Sequence, residues 1–133
     1  MVKKIFIIDD YKKIYNDKYE KNIRKITKIA RSCTKYVDYE VLTSEKYINL
    51  SRKFNLNNIA LEITNKSIPL EKYYFSNSTK ISLILGNEKF GISNDILNIC
   101  DMSVHIDMGG NNSSMNVANA AAIAIYKIIN DIN

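Results

Sequence analysis

The stretch that decides the fold is Lys80-Ile81-Ser82-Leu83-Ile84-Leu85-Gly86-Asn87-Glu88-Lys89-Phe90-Gly91. Its first half, residues 80–85, is a short apolar run typical of a buried strand, and this run ends at Gly86. Because ligands of open parallel sheets bind beyond the carboxyl ends of the strands, the loop after this strand is a candidate site. Gly86 and Gly91 allow a ligand to approach the backbone closely, and Glu88 places a carboxylate beside it.

The two glycines also have the spacing of a phosphate-binding P-loop. Ile92 and Ser93 stand where that motif requires Lys followed by Ser or Thr, so triphosphate binding is disfavoured. A small-nucleotide binding protein of general doubly wound type is an alternative that rests on these glycines alone.

On either side of this stretch, apolar runs alternate with helical patterns. Strands are predicted over 3–8, 37–42, 59–64, 80–85 and 103–107, and helices over 18–35, 44–54, 93–99 and 114–130. Such alternation predicts an α/β protein with a mainly parallel sheet and flanking helices. The length, 133 residues, predicts one domain over 1–133.

A second polar loop, Met108 to Asn116, follows the fifth predicted strand and leads into the last helix. Ser114 is predicted to be the N-cap, with a hydroxyl and amides available to a ligand. The helix after it is apolar nearly all round, so the sheet or another subunit must enclose it. We therefore expect a homodimer.

Composition excludes several classes of protein. The chain is 46% hydrophobic, and no apolar run approaches the roughly 20 residues of a membrane helix. Cys33 and Cys100 have no CxxC spacing and no partnering histidine, which indicates neither a zinc site nor a disulfide framework. The lone His105 lies in an apolar stretch and is interpreted as structural. With no signal-peptide pattern at the start, a cytoplasmic protein without a metal is expected.

Positive charge is concentrated in the first part of the chain. The net charge of +5 divides into +7 for residues 1–55 and −2 for residues 56–133. Arg24, Lys28, Arg31 and Lys35 recur at steps of four and three, which aligns them on one face of the predicted helix. Their mutual repulsion costs a few tenths of a kcal/mol per pair. An exposed protein surface tolerates this cost. If the phosphates of a nucleic acid lie against these residues, attraction to the phosphates offsets the repulsion.

Three segments carry a resemblance to a known family. Residues 85–92, His105-Ile106-Asp107-Met108 and residues 114–120 resemble the second and third motifs of the SPOUT class of RNA methyltransferases, in the SpoU/TrmH branch. The first motif of that branch, an Asn followed six positions later by Arg, is similar to the region ending at Arg31, where Lys25 occupies the place of the Asn. Asp107 occupies the place of a proline in the second segment, between Ile106 and Met108.

This resemblance implies a fold and a reaction. The fold would be the α/β domain with a C-terminal trefoil knot, holding S-adenosyl-L-methionine in a homodimer whose active site draws on both subunits. The reaction would be methylation of a ribose 2′-oxygen of RNA, with tRNA favoured over rRNA. The two departures, Lys25 and Asp107, leave open an alternative: a catalytically inactive SPOUT domain that binds RNA or a partner subunit.

The resemblance also implies site residues. The family's cofactor contacts fall on Leu61, Gly86, Gly91, Ile106, Met108, Ser114 and Met115. Its catalytic residues fall on Arg31, Glu88, Ser114 and Asn116, where Arg31 would contact a phosphate and Asn116 would orient the reacting groups. The residues expected to bind RNA are Arg24, Lys28, Arg31 and Lys35.

Overall fold

The computed structural model of the chain describes residues 2–11, 19–31, 33–110 and 115–133. The strands are β1 (Lys4–Ile8), β2 (Asp38–Leu42), β3 (Leu56–Leu61), β4 (Ile68–Pro69), β5 (Lys80–Leu85) and β6 (Met102–His105). The helices are α1 (Tyr19–Ala30), α2 (Ser44–Phe54), α3 (Asn94–Leu97) and α4 (Val117–Ile132), with short 3-10 helices at Cys33–Lys35 and Leu70–Lys72.

Every pairing between these strands is parallel. β1 pairs with β2, and a second sheet has the order β4-β6-β3-β5. Parallel neighbours need long crossover connections, which is why helices separate most of the strands along the chain. The predicted α/β class with a mainly parallel sheet and flanking helices is confirmed, although the strands form two sheets and β4 was not predicted.

The chain divides into two compact units, residues 1–50 and 51–133. In the first unit, β1 and β2 run side by side, and the ring of Phe6 meets that of Tyr47 edge to face at 5.9 Å. Leu42 and Tyr47 are its buried apolar residues. The prediction that residues 1–133 form one domain stays a prediction.

The second unit holds the main apolar core. Its buried members come from two neighbouring strands, the segment after β4 and the middle of α4: Ile59, Leu70, Phe75, Val104 and Ala124. Burying such side chains contributes about 1.5–3 kcal/mol each for the larger ones. Among the described residues, no helix is long and apolar enough to cross a bilayer.

The first helix is shorter than predicted. α1 ends at Ala30 because Arg31 adopts a left-handed conformation with φ of 51°. Beyond it, residues 33–35 form a separate 3-10 helix, so Lys35 does not continue the face that carries Arg24 and Lys28. The predicted stripe of four cations on one helix face is therefore wrong. The periodicity of apolar residues continues past the point where the backbone leaves the helix.

The third strand begins three residues earlier than predicted, at the polar Leu56-Asn57-Asn58 segment. Asn58 is buried, and its side-chain amide donates to Ser51 Oγ at 2.7 Å. Its backbone N–H donates to Asp101 Oδ2, also at 2.7 Å. A buried amide is tolerated in a strand when its hydrogen bonds are made, and here distant segments supply the partners.

Candidate functional site

Three adjacent strands end at one edge of the second sheet. Leu61 is the last residue of β3 and pairs with Leu85 of β5 and Val104 of β6. Gly86 and Ile106 follow those two strands closely, so the register brings Leu61, Gly86 and Ile106 together, all half-buried. This edge is the carboxyl edge predicted to hold a ligand.

The loop after β5 closes on itself. Asn87 and Gly91 form an antiparallel bridge, with hydrogen bonds of 3.0 Å and 2.8 Å between their backbone groups. Asn87 Oδ1 also accepts from the backbone N–H groups of Lys89 at 2.9 Å and Phe90 at 3.3 Å. Glu88 lies exposed in the turn between the bridged residues. The loop therefore presents its side chains on a fixed frame.

Both glycines of this loop are required by their surroundings. A Cβ at Gly86 would lie 2.8 Å from the carbonyl carbon of Gly91, which no real pair of atoms of this kind adopts. Gly91 has φ of 66°, a left-handed conformation that other residues enter at a cost of roughly 1–2 kcal/mol. The sequence predicted a ligand in the space beside the glycine backbone. In the structure, the space beside Gly86 is occupied by the backbone of Gly91.

Glu62, which the sequence analysis missed, lies against this loop. Its Oε2 is 3.0 Å from the Cβ position of Gly86 and 2.9 Å from that of Gly91. The only sequence signal that could have found it is its place: it is the first residue after β3, at the carboxyl edge of the sheet. Periodicity does not show which loop a strand-end carboxylate will touch.

The described part of the loop after β6 is less crowded. Met108 and Met115 are half-buried, whereas Gly109 and Gly110 are exposed. A Cβ at either glycine would meet no atom of the described residues within 4 Å. The predicted cofactor residue Ser114 lies outside the described residues.

The second loop ends at Asn116 rather than at Ser114. α4 begins at Val117, and Asn116 is its N-cap: its Oδ1 accepts from the N–H groups of Ala118 at 2.9 Å and Asn119 at 3.4 Å. The predicted N-cap at Ser114 is wrong, because an asparagine two residues later satisfies the free amides of the first turn. The Oδ1 of Asn116 is therefore used in capping the helix, and its side-chain N–H groups are donors only.

The predicted RNA-binding residues belong to the first unit. Arg24, Lys28, Arg31 and Lys35 are all exposed. Arg24 lies 3.8 Å from Glu20 in an exposed ion pair, which contributes little to stability. Arg31 follows the last turn of α1, and its left-handed backbone is one of two such conformations among the described non-glycine residues.

Two further titratable side chains are explained by the fold. His105 Nδ1 lies 3.0 Å from Ser67 Oγ, which fits the structural interpretation of this residue. Burial, and secondarily the charge of Asp101, raises the pKa of the Cys100 thiol to about 11. Within the described parts of the chain, no group of three metal-ligating side chains is present.

The arrangement suits a nucleoside better than a compact anion. Half-buried apolar side chains lie at the strand ends, and the Glu62 carboxylate supplies a polar group beside them, as in sites that bind small molecules. Comparison with known families identifies the chain. The profile of the SpoU rRNA Methylase family matches residues 2–126. The chain belongs to this family.

Curated relatives of this SpoU-family chain carry related names. A tRNA (guanosine(18)-2′-O)-methyltransferase of Borreliella burgdorferi is 31% identical over 100 residues, covering 66% of this chain and 45% of that protein. A 23S rRNA (guanosine-2′-O-)-methyltransferase of Acinetobacter baylyi is 35% identical over 65 residues, covering 49% of this chain and 25% of that protein. The chain thus spans less than half the length of these relatives.

Solved structures share the fold. The A. aeolicus TrmH/SpoU tRNA modifying enzyme superposes with a TM-score of 0.76 at 20% identity, covering 98% of this chain and 61% of that one. The SpoU methyltransferase AviRb from Streptomyces viridochromogenes, solved in complex with AdoMet, has a TM-score of 0.68 at 22% identity, covering 86% and 43%.

Proposed function

We propose that this chain is an S-adenosylmethionine-dependent methyltransferase that modifies a ribose 2′-oxygen of RNA. The observation that carries the proposal is the carboxyl edge of the second sheet. Three expected cofactor contacts, Leu61, Gly86 and Ile106, follow adjacent parallel strands there, beside the bridged loop that ends at Gly91. Membership of the SpoU family supports the reaction.

The residues present fit the cofactor. Leu61, Ile106, Met108 and Met115 offer half-buried apolar surface to an adenine ring. Gly86 and Gly91 keep the bridged loop close to the end of β3, and this places Glu62 beside the expected cofactor contacts. When bound, S-adenosylmethionine supplies a methyl group activated by a sulfonium, whose transfer to the ribose oxygen leaves a neutral thioether and releases the hydroxyl proton.

The protein's part in this reaction is alignment and proton removal. Asn116 would orient the reacting groups through its side-chain N–H groups, since its Oδ1 caps α4. Glu88, on the turn of the bridged loop, is the carboxylate assigned to the site, and Ser114 keeps its assignment near the reacting hydroxyl. Arg31 is assigned to an RNA phosphate, because a guanidinium binds phosphate with two N–H groups and does not deprotonate in proteins.

Calorimetry and methyl incorporation test the reaction. We expect S-adenosylmethionine to bind, and labelled methyl groups to enter bulk tRNA, where nucleoside mass spectrometry should show a 2′-O-methylated nucleoside. Arg31→Ala should abolish incorporation and leave cofactor binding unchanged, with Arg52→Ala, an exposed arginine of α2, as the matched control. Binding without incorporation into tRNA or rRNA would favour the inactive domain, to which Lys25 and Asp107 point.

We favour tRNA as the substrate because the tRNA-modifying relative aligns with 66% of this chain, against 49% for the rRNA-modifying one. Exposed Arg24 and Lys28 on α1 would contact its phosphates. When both are replaced by Ala, the slope of the logarithm of the tRNA binding constant against the logarithm of salt concentration should fall by the equivalent of about one to two phosphate contacts. The control is the same double replacement at exposed Lys66 and Lys72. An unchanged salt dependence would contradict this role.

We propose that the protein is a homodimer joined through α4. Its exposed side includes Ala118, Ala122, Ile123 and Tyr126, the last two being 43% and 72% exposed in a single chain. Such a patch marks an interaction surface. Tyr126→Lys should convert a dimer into a monomer in sedimentation experiments, whereas Tyr36→Lys, at an exposed tyrosine of the first unit, should not. A monomeric wild-type protein would contradict the proposal.

We also propose the trefoil knot and a cytoplasmic location. The knot is supported by family membership and by the non-sequential strand order of the second sheet. A crystal structure tracing residues 105–120 tests it, since an unthreaded chain would contradict it. We propose the cytoplasm because the RNA substrate and the cofactor are found there. Cell fractionation, which measures where the protein is recovered, tests this location.

A further inference from the structure

The Glu62 carboxylate lies between the end of β3 and the bridged loop. The backbone N–H of Glu62 donates to Val104 O at 3.0 Å, which continues the pairing of β3 with β6 by one residue. Its Oε1 accepts from the backbone N–H of Ile63 at 3.1 Å. One carboxylate oxygen is therefore held by the residue's own segment.

The other oxygen, Oε2, lies against the two glycines of the loop. It would be 3.0 Å from a Cβ at Gly86 and 2.9 Å from one at Gly91. Both positions must therefore be glycine for the carboxylate to lie where it does. Among the described residues, no hydrogen-bond donor serves Oε2.

The Oε2 oxygen of the half-buried Glu62 is an acceptor that remains accessible to solvent. An ionised carboxylate accepts hydrogen bonds and donates none, and Oε2 is not among the buried atoms, so a donor on a ligand would replace water there. Oε2 lies where the side chains of larger residues would begin at Gly86 and Gly91. A ligand bound at this edge would supply the donor.

We propose that Glu62 is a cofactor-recognition residue whose Oε2 accepts a hydrogen bond from the ribose hydroxyls of the bound nucleoside. The inference rests on the proposed function, because it assigns the residue to the same cofactor. The ribose is favoured because Glu62 is adjacent to three expected contacts of the nucleoside, Leu61, Gly86 and Gly91, and one oxygen with two lone pairs can serve neighbouring hydroxyls.

A simpler role for Glu62 would be to support the loop by packing. That role predicts equal weakening of all ligands in a variant, whereas recognition predicts a loss that depends on the hydroxyls. The experiment therefore compares two ligands in each variant. The ligands are 5′-methylthioadenosine and its 2′,3′-dideoxy form, measured by calorimetry without any methyl transfer.

The wild-type protein should bind the dideoxy form about 10- to 100-fold more weakly than the parent, as expected for a lost hydrogen bond to a charged group. Glu62→Ala should bind both ligands equally, within about threefold. Glu62→Gln, which keeps the shape and one acceptor, should discriminate between the two ligands less than the wild type and more than Glu62→Ala. Glu71→Ala, which removes an exposed carboxylate elsewhere, should behave as the wild type.

Three outcomes would overturn the inference. If the ratio of the affinities for the two ligands is the same in the wild type and in Glu62→Ala, Glu62 only supports the loop by packing. If Glu62→Ala weakens S-adenosylhomocysteine but not 5′-methylthioadenosine, the contact is to the amino-acid part and the ribose assignment is wrong. If the wild type binds neither nucleoside nor S-adenosylmethionine, the proposed function fails as well. If Glu62→Ala does not unfold cooperatively, Glu62→Gln alone decides, by the size of its hydroxyl dependence.

Discussion

The loop after β5 and the loop after β6 each contain two glycines, and the surroundings of the two pairs differ. Gly86 is crowded by the Gly91 backbone and both glycines by Glu62, while no atom of the described residues lies within 4 Å of a Cβ position at Gly109 or Gly110. The fold itself therefore requires glycine in the first loop. Nothing among the described residues requires it at Gly109, so any requirement there would come from a ligand or a partner.

Gly86→Ala should have the largest effect on this comparison. Its Cβ would lie 2.8 Å and 2.9 Å from backbone atoms of Gly91, and a backbone bridged by two hydrogen bonds cannot move aside. We expect a loss of about 3 kcal/mol in the free energy of unfolding, measured with urea. An unchanged midpoint would show that the bridged loop is less rigid than its geometry indicates.

Gly91→Ala should cost less, about 1–2 kcal/mol, from its left-handed backbone. The added Cβ would also meet Glu62 Oε2 at 2.9 Å, but a carboxylate can rotate away. In the double variant with Glu62→Ala, part of the loss should be recovered, because residues in contact are not additive. Strict additivity in urea unfolding would contradict the contact.

The second loop leads into a helix fixed at its far end. Asp131 accepts from Lys127 and, at 3.1 Å, from the backbone N–H of Phe75. These hydrogen bonds, that from Lys127 first, lower the pKa of Asp131, so its charged form is favoured in the folded state. Asp131→Asn should lose about 1.5 kcal/mol at neutral pH.

The pH dependence of this loss has a definite sign. A lowered pKa stabilises the folded state at neutral pH, and this contribution disappears as the pH falls through the lowered pKa. The difference in unfolding free energy between wild type and Asp131→Asn should therefore shrink in acid. A difference that is constant with pH would assign the effect to packing.

The near end of the same helix is held by one side chain. Asn116→Ala should cost about 1 kcal/mol, the usual effect of removing an N-cap. Asn116→Asp, which keeps the acceptor, should retain most of the stability. Because Asn116→Asp loses the side-chain N–H donors, it should nevertheless impair methyl transfer, which separates capping from orientation of the reacting groups.

Gly109→Ala should have the smallest effect and sharpens the comparison most directly. With open space around it, stability should change by less than about 0.5 kcal/mol. Thermal unfolding of this variant beside Gly86→Ala is the measurement. A large loss of stability would show that the second loop is packed against atoms outside the described residues.

Features that depend on local pattern were predictable from the sequence. Helix α2 was predicted at its observed bounds, and β5 with the loop that follows it was found from the apolar run and the two glycines. The parallel class followed from the alternation of strands and helices. These features are encoded by neighbouring residues, because periodicity and turn chemistry act over a few positions.

Two other features were decided only by tertiary contacts. The start of β3 depends on partners that Asn58 finds at Ser51 and Asp101. Glu62 meets Gly86 and Gly91 because parallel pairing places the end of β3 beside the end of β5. Residues far apart in sequence share these contacts, so no local pattern contains them.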